Sequence, residues 1–106
     1  MNNFNTLHEE ARNVLRIANA KLRETVNQGD FHDRDFGNFH GLAWEMATGM
    51  RPAQIKKQYG VKDHYDIATT ETFIKTAEAV ERIIDLILSN VGTYKEIKEI
   101  ALSAQV

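Results

Sequence analysis

The chain has 106 residues, which suits one domain that buries a modest core without metal or disulfide staples. Hydrophobic residues make up 42% and charged residues 26%, as in ordinary globular proteins, and a net charge of -2 gives the whole molecule no attraction to phosphate or anionic lipid. The lack of cysteine excludes disulfides, thiolate nucleophiles and cysteine-based zinc sites. With no basic-then-apolar leader and no run of roughly 18 apolar residues, we expect one soluble, cytoplasmic domain over residues 1–106.

The first predicted element is a helix that begins near Thr6 and ends near Gly29. Thr6 and Glu9 match a capping box, and Gly29 stands where a left-handed cap is expected. Apolar residues recur at three- and four-residue intervals, the period of one helix face, at Leu7, Ala11, Val14, Leu15, Ala18, Leu22 and Val26. We expect this face to pack against the core.

A second helix is predicted after the polar segment "DFHDRD", with Asp33 or Asp35 as its cap. Its helical spacing is carried by Phe36, Phe39, Ala43, Met46 and Met50. Gly37 and Gly41 lower the helix propensity of this segment. Since aromatic side chains supply the most buried area, we expect Phe36, Phe39, Trp44 and Met46 to form the centre of the core.

A short third helix is predicted from Pro52 to Gly60. Proline fits the first helical position, because its missing N–H would be unpaired there anyway. Gly60 ends the helix, and Val61 just beyond it folds back onto Ile55, the contact that accompanies a glycine cap. The following segment, "KDHYDIAT", is predicted to be a loop.

A fourth helix is predicted from a cap at Thr69 or Thr70 to about Asn90, with Glu71 near the positive end of its dipole. Its inward face is predicted at Phe73, Ala77, Val80, Ile84, Ile87 and Val91. Gly92 breaks this helix. The capping box Thr93–Glu96 then opens a terminal helix with Tyr94, Ile97, Ile100 and Ala101 inward. No alternating strand pattern occurs, so we expect an all-α, compact bundle of about five helices with no sheet.

The second half of the fourth helix predicts self-association. Its run "RIIDLIL" is apolar on more than one face, whereas a helix shows only about a third to a half of its surface to one neighbouring layer. We therefore expect a homodimer interface that contains Ile83, Ile84, Leu86, Ile87 and Leu88.

No cluster in the sequence has the spacing of a metal or catalytic site. The densest set of potential ligands is Asp30, His32, Asp33, Asp35 and His40. Its spacing fails the calcium-loop pattern, and its histidines are too far apart for one helix face. There is no Gly-rich phosphate loop and no nucleophile elbow. We expect a non-enzymatic protein with no metal and no cofactor, and with His8 and His64 at the surface.

Positive charge concentrates around the third helix, where Arg51, Lys56, Lys57 and Lys62 are opposed only by Asp63. With Pro52 first, Ile55 and Tyr59 share one face of this helix, and the two adjacent lysines point away as an exposed ridge. The predicted partner-binding surface comprises Arg51, Lys56, Lys57, Tyr59, Lys62, His64 and Tyr65. The alternative is a short structural helix whose basic face is merely solvated.

Residues 48–71, "TGMRPAQIKKQYGVKDHYDIATTE", resemble a segment in the C-terminal parts of phage antirepressor, Bro-type and DNA-damage-inducible D-type proteins. Positions on that pattern are Thr48, Gly49, Ile55, Lys56, Lys57, Gly60, Val61, Asp66, Thr69 and Glu71. Met50-Arg51 stands where Lys-Thr is usual, and Tyr65 replaces an arginine. The resemblance implies a phage or prophage origin, hence the host cytoplasm, and a binding role. It assigns no catalytic residue.

Three functional hypotheses follow. The first is a regulatory or inhibitory protein that binds a host protein, such as a nucleic-acid-handling or defence complex of the CRISPR type. The second is a DNA-binding transcriptional regulator that uses residues 51–82 as a helix-turn-helix-like element. About eight residues separate Gly60 from the next helix, however, where a turn of three or four is usual, and that helix is acidic. The third is a structural or assembly subunit.

Overall fold

The computed structural model describes residues 3–29, 31, 33–89 and 92–103. Its five α-helices are α1 (Asn3–Gln28), α2 (Asp33–Thr48), α3 (Pro52–Tyr59), α4 (Thr70–Leu88) and α5 (Tyr94–Ser103), and a 3₁₀-helix (His64–Ile67) connects α3 to α4. Because these ranges contain no strand, the predicted all-α bundle is confirmed. Within the same ranges, no helix has the length and apolarity to cross a membrane.

A single hydrophobic cluster joins the helices, with α4 at its centre. α4 contacts α1, α2 and α5, and α1 contacts α2. Phe39 and Trp44 are fully buried, as predicted for the centre of the core, whereas Phe36 and Met46 are only partly buried against the cluster. The predicted face of α1 is buried at Ala11, Leu15, Ala18, Leu22 and Val26.

The apolar run on α4 is buried within the chain itself. Ile83, Ile84, Leu86 and Ile87 are at most 9% exposed, and only Leu88 of the predicted dimer residues is exposed, at 67%. The expectation that these five residues leave apolar surface free for a homodimer is therefore wrong for four of them. The reason is tertiary: a helix with neighbours on several sides buries more than one face.

The ends of α3 follow the prediction. Pro52 occupies the first turn, and Gly60 ends the helix with a left-handed φ of 65°. The backbone N–H groups of Gly60 and Val61 both donate to the carbonyl oxygen of Lys56, which pairs an otherwise free helical acceptor. At the start of α4, the Thr69 hydroxyl accepts a hydrogen bond from the Thr72 N–H at 3.1 Å, so Thr69 is the cap.

The predicted start of α1 is wrong, whereas its predicted end next to Gly29 is confirmed. The helix begins at Asn3, so Thr6 lies inside it and does not cap its first turn. The preceding residues "NFN" contain no proline or glycine that would stop the helix there. Gly29 lies at the end of α1 but is not left-handed, unlike Gly49, Gly60 and Gly92.

Several predicted inward positions lie elsewhere. Val14 is 53% exposed and Ile100 is 40% exposed, because each lies at the edge of the buried face of its helix. Met50 follows the end of α2 and packs partly against the core. α4 ends at Leu88, close to the predicted end at about Asn90. The side chains of Leu7, Asp30, His32, Asp33, Asn90 and Val91 lie outside the described residues.

Candidate partner-binding surfaces

The third helix and the turn after it present an exposed basic surface, here called the α3 ridge, that consists of Lys56, Lys57 and Tyr59 on the helix and Lys62 just beyond it. Ile55 is fully buried and anchors the helix, while the two lysines that follow it point to solvent as predicted. Tyr59 is 52% exposed, so it lies at the surface as the predicted partner-binding set requires, although it shares a helix face with the buried Ile55. The ring therefore adds an aromatic side chain to the ridge, the type that often anchors protein interfaces.

Arg51 does not belong to this ridge, although the sequence placed it there. Its Nε donates to Glu45 Oε1 at 3.0 Å, and its guanidinium also donates to the Tyr94 hydroxyl. Gly41 makes this approach possible, since a Cβ there would lie 3.2 Å from Arg51 Nη1. Arg51 thus links the start of α3 to α2 and α5, and its guanidinium is engaged by partners within the fold.

His64 and Tyr65 also face inward. The His64 ring lies 4.6 Å from the Trp44 ring and the Tyr65 ring 5.3 Å from it, measured between centroids. The His64 side chain is only 13% exposed, so its predicted surface position is wrong. Asp63 explains the difference: its carboxylate accepts the Tyr65 N–H at 2.9 Å and caps a 3₁₀ turn within the predicted loop.

His64 meets His40 in the same cluster. Their Nε2 atoms are 3.3 Å apart, and His40 Nδ1 lies 3.4 Å from Asn19 Oδ1. Burial, together with the proximity of His64, lowers the pKa of His40 to about 4. Burial also lowers the pKa of His64, an effect that Lys56 reinforces and Asp63 opposes. Both imidazoles are therefore neutral near pH 7.

The described residues contain no group of three or more His, Cys, Asp or Glu side chains that could hold a metal ion. The predicted ligand-rich segment is described only in part. Its Asp35 and His40 side chains lie on α2, and His40 belongs to the histidine pair. The His64 ring packs against the rings of Trp44 and Tyr65, so the observed role of the pair is to pack α2 against the 3₁₀-helix.

A second surface was not predicted from the sequence. Between α1 and α4 lies a recess of about 620 Å³, here called the α1–α4 groove. The residues that line it are Val14, Ile17, Ala18, Ile74, Ala77, Glu78, Glu81, Arg82 and Asp85. The sequence signal was an apolar residue outside the regular inward face of each helix, Ile17 on α1 and Ile74 on α4.

The geometry of residues 51–82 differs from that of a helix-turn-helix. The 3₁₀-helix separates α3 from α4, and α4 buries nine residues in the core. Its exposed side carries Glu71, Glu78 and Glu81, which would meet phosphate with like charge. The arrangement therefore gives α4 little support as a groove-reading helix.

No protein-family model, no curated protein and no solved structure matches this chain. The resemblance of residues 48–71 to the phage antirepressor type of segment consequently stays a prediction.

Proposed function

We propose that the chain is a small, non-catalytic regulatory or inhibitory protein of phage or prophage type that acts by binding a host protein. The α3 ridge carries this proposal. Two lysines and a half-exposed tyrosine stand on a helix that is fixed from beneath by Ile55 and from its start by Arg51, and the third lysine follows that helix. A rigid support lowers the entropy lost when a surface binds, and aromatic side chains anchor interfaces well.

A nucleic-acid-handling or defence complex, such as CRISPR machinery, is the proposed class of host target. The lysines of the ridge would complement an acidic surface on such a complex. Positive charge on the rim of an interface acts mainly on the association rate and on the choice of partner. We therefore expect binding through the ridge to weaken as salt increases.

DNA binding is the competing function. With Arg51 turned inward, the ridge keeps only Lys56, Lys57 and Lys62 to neutralise phosphate. Three neutralised phosphates correspond to a log–log salt slope of about -3 and to weak affinity in physiological salt. The net charge of -2 adds no general attraction.

Two measurements separate these functions. In the first, the tagged protein captures its partner from a bacterial lysate with and without nuclease treatment. Capture that survives nuclease supports a protein partner, and capture that nuclease abolishes contradicts it. In the second, the purified protein is titrated with duplex DNA in physiological salt. Sub-micromolar, sequence-selective binding would overturn the protein-docking function in favour of transcriptional regulation.

A further inference from the structure

Exposed aliphatic side chains gather in the α1–α4 groove. Val14 is 53% exposed, Ile17 66% and Ile74 45%, and all three line the same recess. Single exposed aliphatic residues are normal on a soluble protein, but here three of them share one recess rimmed by charge. The groove lies on α1 and α4, so it is distinct from the ridge on α3.

The shape of the groove fits a helix. Its floor contains the small buried residues Ala18 and Ala77, at 3% and 4% exposure, and the larger aliphatic side chains flank them. α1 and α4 pack directly against each other beneath this floor. A third helix can lie along two packed helices and insert aliphatic side chains at three- and four-residue spacing, which is the helix-in-groove mode of recognition.

The charge of the rim selects the kind of helix. Glu78, Glu81 and Asp85 line the groove against a single cation, Arg82. Lys21 pairs with Glu81 at 3.2 Å, but both side chains are about half exposed, so the pair is weak and exchangeable. A partner with lysine or arginine beside its apolar face is therefore complementary to this rim.

We propose that the α1–α4 groove binds an amphipathic, cationic helix of a partner protein. This inference rests on the proposed function, namely that the chain acts by binding a protein. A second copy does not supply α3 as the occupant, because Ile55, the aliphatic residue of that basic helix, is fully buried. The occupant must carry aliphatic residues and positive charge on one exposed helix.

The test uses a labelled 18-residue amphipathic peptide of leucine and lysine and measures its fluorescence anisotropy with the purified protein. A matched peptide of leucine and glutamate controls for charge. Ile17→Ser is compared with Leu88→Ser, because the two side chains are equally exposed, at 66% and 67%, and only Ile17 lines the groove. Thermal melts check that both variants fold.

We expect the leucine–lysine peptide to bind and the leucine–glutamate peptide to bind far more weakly. Ile17→Ser should weaken binding by about tenfold or more, since one buried aliphatic side chain is lost from the contact, while Leu88→Ser should leave it unchanged. Equal binding of both peptides, no binding of either, or equal effects of the two variants would overturn the proposal. Light scattering that finds a dimer dissociated by Ile17→Ser would name a second copy as the occupant and also overturn it.

The groove and the proposed function can fail separately. If Ile17→Ser captures the lysate partner as well as the wild type does, while reversal of the ridge charges abolishes capture, only the groove proposal fails. If the wild type captures no protein from nuclease-treated lysate, the proposed function fails, whatever the peptide shows.

Discussion

The Nε2 atoms of His40 and His64 lie 3.3 Å apart in a partly buried cluster with Trp44 and Tyr65. One proton can be shared across this distance, whereas two protonated rings would place like charges in contact with little water to screen them. The pair joins α2 to the 3₁₀-helix, which in turn packs next to α3. Proton binding here therefore opposes the packing that supports the ridge.

The first prediction concerns acid stability. In the unfolded chain His40 titrates near 6.5, whereas in the folded chain its pKa is about 4, so the unfolded state binds more protons between these values. The free energy of unfolding should be greatest above pH 6.5 and should fall as the pH drops towards 4. His40 should contribute up to about 3 kcal/mol to this fall. The lowered pKa of His64 acts in the same direction.

Urea unfolding at a series of pH values from 4 to 8 measures this fall. Because carboxylates also titrate in acid, the informative quantity is the difference between the wild type and His40→Phe, which keeps an aromatic ring but binds no proton. The variant should lose less stability between pH 6.5 and 4. Parallel curves for the two proteins would show that the histidine pair does not govern acid unfolding.

The second prediction separates Arg51 from the ridge. Arg51→Ala should lower the free energy of unfolding by about 1–3 kcal/mol, because it removes the hydrogen bonds to Glu45 and Tyr94 and leaves both groups without this partner. Lys57→Ala, on the exposed side of α3, should change it by less than about 0.5 kcal/mol. Chemical denaturation measures both, and equal effects would contradict the structural role of Arg51.

The third prediction contrasts two glycines. Gly37 lies inside α2 with no atom within 4 Å of an added Cβ, so Gly37→Ala should stabilise the protein by about 0.5–1 kcal/mol. Gly60 has a left-handed φ of 65°, and Gly60→Ala should destabilise it by about 1–2 kcal/mol. The melting temperatures should move in opposite directions; a Gly60→Ala variant that melts no lower than the wild type would refute the assignment of the α3 cap.

Local patterns predicted the helices and failed where distant contacts decide. Apolar spacing identified five buried residues of α1, although it also included the half-exposed Val14, and Pro52 and Gly60 bounded α3, since helix periods and caps depend on residues close in sequence. Ile83 and Leu86 were wrongly predicted to be apolar surface left over for a dimer, because the sequence of α4 does not tell how many helices surround it.

The candidate site was predicted in part for the same reason. The exposure of Lys56 and Lys57 was predicted correctly, because the side chains that follow Ile55 point to other sides of the helix when Ile55 faces the core. Arg51 was misplaced because Tyr94, its partner, is 43 residues further along the chain. The groove was missed because it exists only where α1 and α4 meet, and neither helix alone shows it.

The most direct test of the central claim, that the α3 ridge binds a protein, is quantitative capture from nuclease-treated lysate by charge-reversed variants. Lys56→Glu/Lys57→Glu is compared with Lys95→Glu/Lys98→Glu on α5, which changes the net charge equally away from the ridge. We predict that the ridge variant loses the captured partner at unchanged melting temperature, while the α5 variant keeps it. Full capture by the ridge variant, or equal loss from both, would contradict the claim and leave α3 as a short structural helix with a solvated basic face.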